Sequence, residues 1–230
     1  MGRLKQAVRV ITEEEFLLLL KTIKEDEKEK VFGKDYQDFC KIRDITIYCM
    51  MMGLGLRPRE CYEAKVRDIN LNKREWIIPF YNNKQRQTDV IQLPDFIFRI
   101  LYGYMEKRIA YGFQESEWLF PTRHFRSKGK LSRNSINIKF KYYCQKAGLL
   151  NLTYIDANGQ MRGDLHPYIL RHSFGTRAYE KLGDINKVRI LMRHRDLRCR
   201  ATFLYVHLND NLKRGEYLEK LYEDHVPLII

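Results

Sequence analysis

Five short segments hold residue types that together meet the demands of metal-free phosphoryl transfer. They are Gly53-Leu54-Gly55-Leu56-Arg57-Pro58-Arg59-Glu60, Lys84 in a polar stretch, Leu170-Arg171-His172-Ser173-Phe174-Gly175-Thr176, Met192-Arg193-His194, and Tyr205-Val206-His207. Breaking a phosphodiester without a metal needs cations on the non-bridging oxygens, a positioned nucleophile and an acid for the departing oxygen. Arginine suits the first task, because its planar guanidinium forms paired hydrogen bonds to phosphate oxygens. A phenol is a weak nucleophile near neutral pH and needs cationic neighbours to stabilise its phenolate. Metal-dependent alternatives have no matching pattern here: the sequence has no HExxH, no P-loop and no GxGxxG, and its acidic residues do not form the DxD pairs of two-metal nucleases.

The elements that must position these residues follow from periodicity and caps. Thr12 with Glu15 reads as a capping box, and Phe16, Leu19, Leu20 and Ile23 recur at helical spacing, which predicts a helix over residues 12–25. The charged run 25–30 ends it. Ile42, Ile45, Ile47, Tyr48 and Met51 predict a second helix, stopped by Gly53 and Gly55 before Pro58 opens a short third one, so Arg57 sits on a tight turn between two helices. Residues 76–80 and 88–93 favour β structure, and the polar segment 81–87 between them reads as a long hairpin loop carrying Lys84. Helices are predicted at 95–111 and 132–147, the latter capped by Ser132 and ended by Gly148. Asn158-Gly159 signals a further β-hairpin, after which come only helices at about 169–182, 185–192, 201–208 and 212–223.

Composition narrows the partners. Lys and Arg number 42 against 29 Asp and Glu, a formal net charge of +13, which suits a polyanion such as DNA, RNA or an acidic membrane without choosing among them. The five cysteines lie far apart, with neither a CxxC pair nor a zinc spacing, as in a reduced cytosolic or nuclear compartment. No signal peptide is recognised, and the apolar stretch at residues 16–20 is far too short to span a bilayer. The expectation is a soluble cytoplasmic protein, nucleoid-associated in a prokaryote, whose 230 residues bury one substantial core.

In their order along the chain, the five segments resemble the tyrosine recombinase or phage integrase family, and the resemblance runs from the Thr12 helix to the last one. It implies an α+β, mainly helical catalytic domain with a small three-stranded antiparallel sheet, extended here by the hairpin around Asn158-Gly159. It also implies that Arg57 and Arg171 clamp the scissile phosphate and that Lys84 protonates the leaving 5′ oxygen, with Arg86 as its nearest competitor. His194, 23 residues after Arg171, supplies a further cation, and Tyr205 is the nucleophile. The family usually places that tyrosine nine residues after the histidine, where this chain has Phe203; Tyr205 lies eleven after, which implies two extra residues in the loop 195–200. Three residues before Arg171, where the family most often has histidine, stands Tyr168; it is the expected spatial equivalent, with His166 as a possible base. No cofactor and no metal are implied.

The implied partner is double-stranded DNA, held by a homo-oligomer that forms a tetrameric synapse, with a C-terminal helix and tail at residues 211–230 as a candidate contact between subunits. Phosphate contacts are expected from Arg126, Lys128, Lys130, Arg133 and Asn134, and from the second basic run Arg193, Arg195, Arg198 and Arg200. The whole of 1–230 reads as a single catalytic domain without the N-terminal core-binding domain usual in the family. The implied activity is site-specific recombination or integration of a mobile element through a 3′ phosphotyrosyl intermediate. The alternatives are a type IB topoisomerase-like enzyme that relaxes one duplex, or a catalytically inactive DNA-binding relative. An electrostatic grip on DNA predicts affinity that falls steeply between two ionic strengths in a duplex titration; salt-independent binding would contradict it.

Overall fold

The computed structural model describes residues 9–27, 34–83, 87–123, 128–150, 152–155, 161–163, 165–193, 215 and 217–222. Its first helix, α1 (Glu13–Lys24), starts at the expected capping box: Thr12 Oγ1 accepts from the Glu15 N–H at 3.2 Å, and the Glu15 carboxylate accepts from the Thr12 N–H at 3.0 Å. The apolar stripe of Phe16, Leu19, Leu20 and Ile23 is buried.

The second helix, α2 (Lys34–Leu54), is the axis of the molecule. Between Ile45 and Leu54 nearly every side chain is buried, the pattern of a helix covered on all sides, and it packs against α1, α4 (Asp95–Ala110) and α6 (Tyr168–Leu182). Its lower half carries a buried charge node. Arg43 donates to Asp44 Oδ1 at 3.1 and 3.0 Å and to the Pro121 carbonyl at 2.7 Å, and Lys139 reaches the other Asp44 oxygen at 2.8 Å, so both buried charges are satisfied.

The helix ends at Gly55, whose φ of +60° turns the chain into α3 (Pro58–Tyr62) with Pro58 in its first turn. Gly53, read from the sequence as a stop, lies inside the helix. A Cβ there would stand 2.3 Å from Ile97 and 2.9 Å from the Tyr222 hydroxyl, so its smallness serves close packing.

A short 3-10 turn, Val66–Asp68, leads into a three-stranded antiparallel sheet in the order β1 (Ile69–Asn70), β2 (Glu75–Ile78) and β3 (Asp89–Gln92). Trp76 pairs with Ile91 on the buried face. The first expected strand begins one residue earlier and ends two earlier, the second is shorter by one residue at each end, and β1 carries no pattern of its own. Helix α4 follows, then α5 (Arg133–Lys146), capped by the Ser132 hydroxyl and terminated where Gly148 takes a φ of +70°. The second hairpin is present as β4 (Leu152–Ile155) against β5 (Met161–Gly163); its Asn158-Gly159 turn lies outside the described residues.

Helix α6 ends at Gly183 in the left-handed region, and Asp184 caps α7 (Ile185–Leu191). The expected helix 201–208 lies outside the described residues. Of 212–223, residues 217–222 are helical and dock on the same chain's core: Leu218 and Leu221 are buried, and the Tyr222 hydroxyl donates to the Gly53 carbonyl at 2.9 Å. No helix among the described residues is long and apolar enough to cross a membrane.

Two glycines separate backbone strain from packing. At Gly148 an added Cβ meets nothing within 4 Å, whereas at Gly55 it would lie 2.5 Å from the Phe174 ring. Both have positive φ, so Gly148→Ala should lower unfolding free energy by about 1 kcal/mol and Gly55→Ala by at least about twice that in urea melts.

Candidate active site

Arg57 occupies the turn between α2 and α3, and Glu60 fixes it twice. The Glu60 carboxylate accepts from the Arg57 backbone N–H at 2.8 Å and from its guanidinium at 2.7 Å. The same carboxylate accepts from Arg193 Nη2 at 2.5 Å. Glu60 is buried, while the Arg57 side chain keeps a small solvent-facing area.

Arg171, on the second turn of α6, is wholly buried and bridges two segments. Nη1 donates to the Gly55 carbonyl and Nη2 to the Met192 carbonyl; among the described residues its Nε meets no hydrogen-bond partner. Arg193 donates to the Leu54 carbonyl at 3.3 Å. With Tyr222 on Gly53, three successive carbonyls at the C-terminal end of α2 are thus taken by side chains from α6, from the end of α7 and from residues 217–222. A helix C-terminus presents unpaired carbonyls and a partial negative charge, so it draws cations.

The outcome is two guanidinium groups gripping one carboxylate with that of Arg171 nearby, and Asp89 farther out at 3.9 Å from Arg193 Nε. Burial alone would raise the Glu60 carboxyl, but Arg193, Arg57 and Arg171 hold it below its ordinary value. Arg171 is pushed the other way: burial first, then the like charges of Arg193 and Arg57, lower its pKa. Guanidinium stays protonated at any physiological pH, so the downward push reflects first the cost of holding the Arg171 charge away from water and second the like charges beside it.

Around this centre the expected residues divide. Tyr168 opens α6, three residues before Arg171, and its ring meets His172 edge to face at 4.8 Å and lies 6.4 Å from His166. Desolvation, then His172 and Lys141, lower the His166 pKa, which favours a neutral imidazole able to accept a proton. Lys84, His194 and Tyr205 lie outside the described residues, as do Arg126, Arg195 and Arg198. Lys128, Arg133 and Asn134 are exposed at and before the start of α5, which packs against α3. Lys130 is engaged, donating to Glu63 at 2.7 Å and lying 5.0 Å over the Trp118 ring.

One expectation is corrected. Arg193, read as a phosphate-gripping member of a basic run, is buried with its side chain turned inward onto Glu60 and Leu54. Its φ of +54° is a conformation non-glycine residues seldom take. Glu60, visible in the sequence only as part of a motif, is the hub that joins Arg57 to Arg193. Among the described residues, no group of three or more His, Cys, Asp and Glu side chains is placed to hold a metal ion.

Comparison with known proteins bears on this arrangement. The sequence profile of the Phage integrase family matches residues 9–211. The tyrosine recombinase XerA of Pyrococcus furiosus is 28% identical over 206 residues, covering 88% of this chain and 64% of that protein. The chain spans less than two thirds of the length of the curated relatives it matches. Among solved structures, an integrase from mycobacterium phage Brujita superposes with a TM-score of 0.61 at 20% identity, over 98% of this chain and 62% of that one. The XerH site-specific recombinase bound to its difH substrate gives 0.58 at 21% identity, over 85% and 49%. These two likenesses show the fold.

Replacing Glu60 by Gln would leave Arg193 buried without its carboxylate, and the expected loss is about 3 kcal/mol or more in denaturant unfolding at neutral pH. The sign with pH follows from the lowered Glu60 pKa. Its contribution is complete above the unfolded carboxyl's ordinary value and is lost as acidification passes down through the folded one, so Glu60→Gln should flatten the acid limb of the stability profile.

Proposed function

The chain belongs to the phage integrase family, and on that premise we propose that it is a tyrosine-type site-specific recombinase that breaks and rejoins double-stranded DNA. In this reading Arg57 and Arg171 hold the non-bridging oxygens of the scissile phosphate, and Tyr205 attacks the phosphorus. A 3′ phosphotyrosyl bond forms, the bond to the 5′ oxygen breaks, and Lys84 gives that oxygen its proton. His194 adds positive charge beside the phenolate, and His166, next to Tyr168, is the base that takes the phenol proton and returns it when Tyr205 is released. A 5′ hydroxyl from another strand then attacks the phosphotyrosine and releases Tyr205. The covalent link conserves the bond energy, so the exchange needs no nucleotide hydrolysis and no metal.

The observation that carries the proposal is the surplus of buried guanidinium charge around Glu60. Arg57 and Arg193 both grip the Glu60 carboxylate, and Arg171 is buried close enough that their like charges add to desolvation in lowering its pKa. A phosphodiester is an anion whose oxygens match guanidinium geometry. The DNA-bound structural neighbour supports duplex DNA as the ligand. Lys128, Arg133 and Asn134, with Arg126, Arg195 and Arg198, would grip flanking phosphates. Residues 1–230 would act as one catalytic domain that assembles into a tetrameric synapse on DNA, with 211–230 contributing to contacts between subunits, in the cytoplasm or on the nucleoid.

The test is covalent trapping. Native protein is mixed with a pool of nicked duplexes of varied sequence, in which cleavage next to the nick loses the short fragment and strands the intermediate. The expected result is a protein–DNA adduct that survives denaturation with native protein and vanishes with Tyr205→Phe. An adduct that persists in that variant would move the nucleophile elsewhere, and no adduct from native protein would leave a DNA-binding relative.

A further inference from the structure

The turn that leaves β2 presents an aromatic pair to solvent. Phe80 and Tyr81 are 58% and 45% exposed, and their rings meet edge to face with centroids 5.3 Å apart. Two adjacent rings left open to water offer an apolar face with a polar hydroxyl at its edge.

The turn beneath them is fixed by hydrogen bonds. The Pro79 carbonyl accepts from the Asn82 N–H at 2.9 Å and from the Asn83 N–H at 3.0 Å. The buried Asn82 side chain donates to the Glu63 carbonyl at 3.1 Å, and the buried Asn83 amide donates to the Gln87 carbonyl and to Asp89 Oδ2, both at 2.8 Å. The rings therefore stand on a preorganised base and lose little freedom when something covers them.

Two exposed arginines flank the pair. Arg59 Nη2 lies 3.4 Å from the Tyr81 carbonyl, and Arg67 Nη2 lies 3.5 Å from the Tyr81 hydroxyl. Arg59 lies on α3, two residues beyond Arg57 in the turn that precedes it. On the other side, Asn83 contacts Asp89, which lies 3.9 Å from Arg193, the partner of Glu60. A path of buried contacts thus links the turn that carries the rings to the guanidinium cluster.

We propose that Phe80 and Tyr81 form a stacking platform for a nucleobase that has left its pair beside the bond being cut. This rests on the recombinase reading, and the chemistry of strand exchange supplies the ligand. Bases next to the cleaved bond must part from one partner before they pair with another, and a parted base exposes both π faces to water. Aromatic rings with cations at their edges take such a base whatever its identity, while the arginines accept the adjoining phosphates. The platform would hold the strand between cleavage and rejoining, close to Arg57 and without reading sequence.

The experiment compares two labelled duplexes of the same sequence, one fully paired and one carrying a single unpaired 2-aminopurine, whose emission falls when it stacks on an aromatic ring. Native protein is expected to bind the second duplex about tenfold more tightly and to quench it. The Phe80→Ala, Tyr81→Ala double variant should bind both duplexes alike, with paired-duplex affinity and melting temperature unchanged, and Phe80→Tyr alone should keep the preference. Equal binding of both duplexes by native protein, or preference and quenching that persist in the double variant, would overturn the platform and leave the recombinase reading intact. Failure of native protein to bind either duplex would overturn that reading itself.

Discussion

A buried carboxylate shared by Arg57 and Arg193 is the interaction on which the site depends. Glu60 is removed from water, so its charge is tolerable only because guanidinium groups surround it. Those groups come from segments more than a hundred residues apart, and one carboxylate therefore welds the α3 turn to the end of α7. Arg171 completes the weld without touching Glu60, by spanning Gly55 and Met192. Three guanidinium groups thus stand near one carboxylate, two of them in direct contact with it.

The scaffold reinforces this with helix geometry. The C-terminal end of α2 is surrounded by apolar packing, so its last carbonyls have no water to turn to and must be met by side chains. Tyr222, Arg193 and Arg171 meet three of them in succession. The smallness of Gly53 lets Ile97 and Tyr222 approach, and the left-handed turn at Gly55 aims Arg57 away from the helix it follows. Structure and chemistry thus share the same few residues.

Sequence made the local features plain because their causes are local. The Thr12–Glu15 capping box, the Pro58 helix start, the Gly148 stop and the stripe on α1 each depend on residues within a turn or two, and each stands where the pattern put it. The three-stranded sheet came from family resemblance, since the two residues of β1 are too few to show a period. Arg57 and Arg171 were legible as motif members. The inward turn of Arg193 was not, because it depends on a carboxylate 133 positions away and on a backbone conformation that its residue type disfavours. The exposed Phe80 and Tyr81 were equally hidden: β-favouring residue types put Phe80 in a strand, the polar stretch put Tyr81 in a loop, and exposure is a property of the packed molecule. Lys84, His194 and Tyr205 remain assignments from resemblance.

The carbonyl fan at the end of α2 also bears on biosynthesis. Gly53, Leu54 and Gly55 leave the ribosome well before the groups that satisfy them, which lie 169, 139 and 116 residues further on. At ordinary elongation rates of about 5–20 residues per second, Gly53 waits on the order of ten to thirty seconds for Tyr222. A nascent chain therefore cannot mature its centre until residue 222 has been made, and a product terminated after residue 170 would be released with that fan unfilled and without the second arginine.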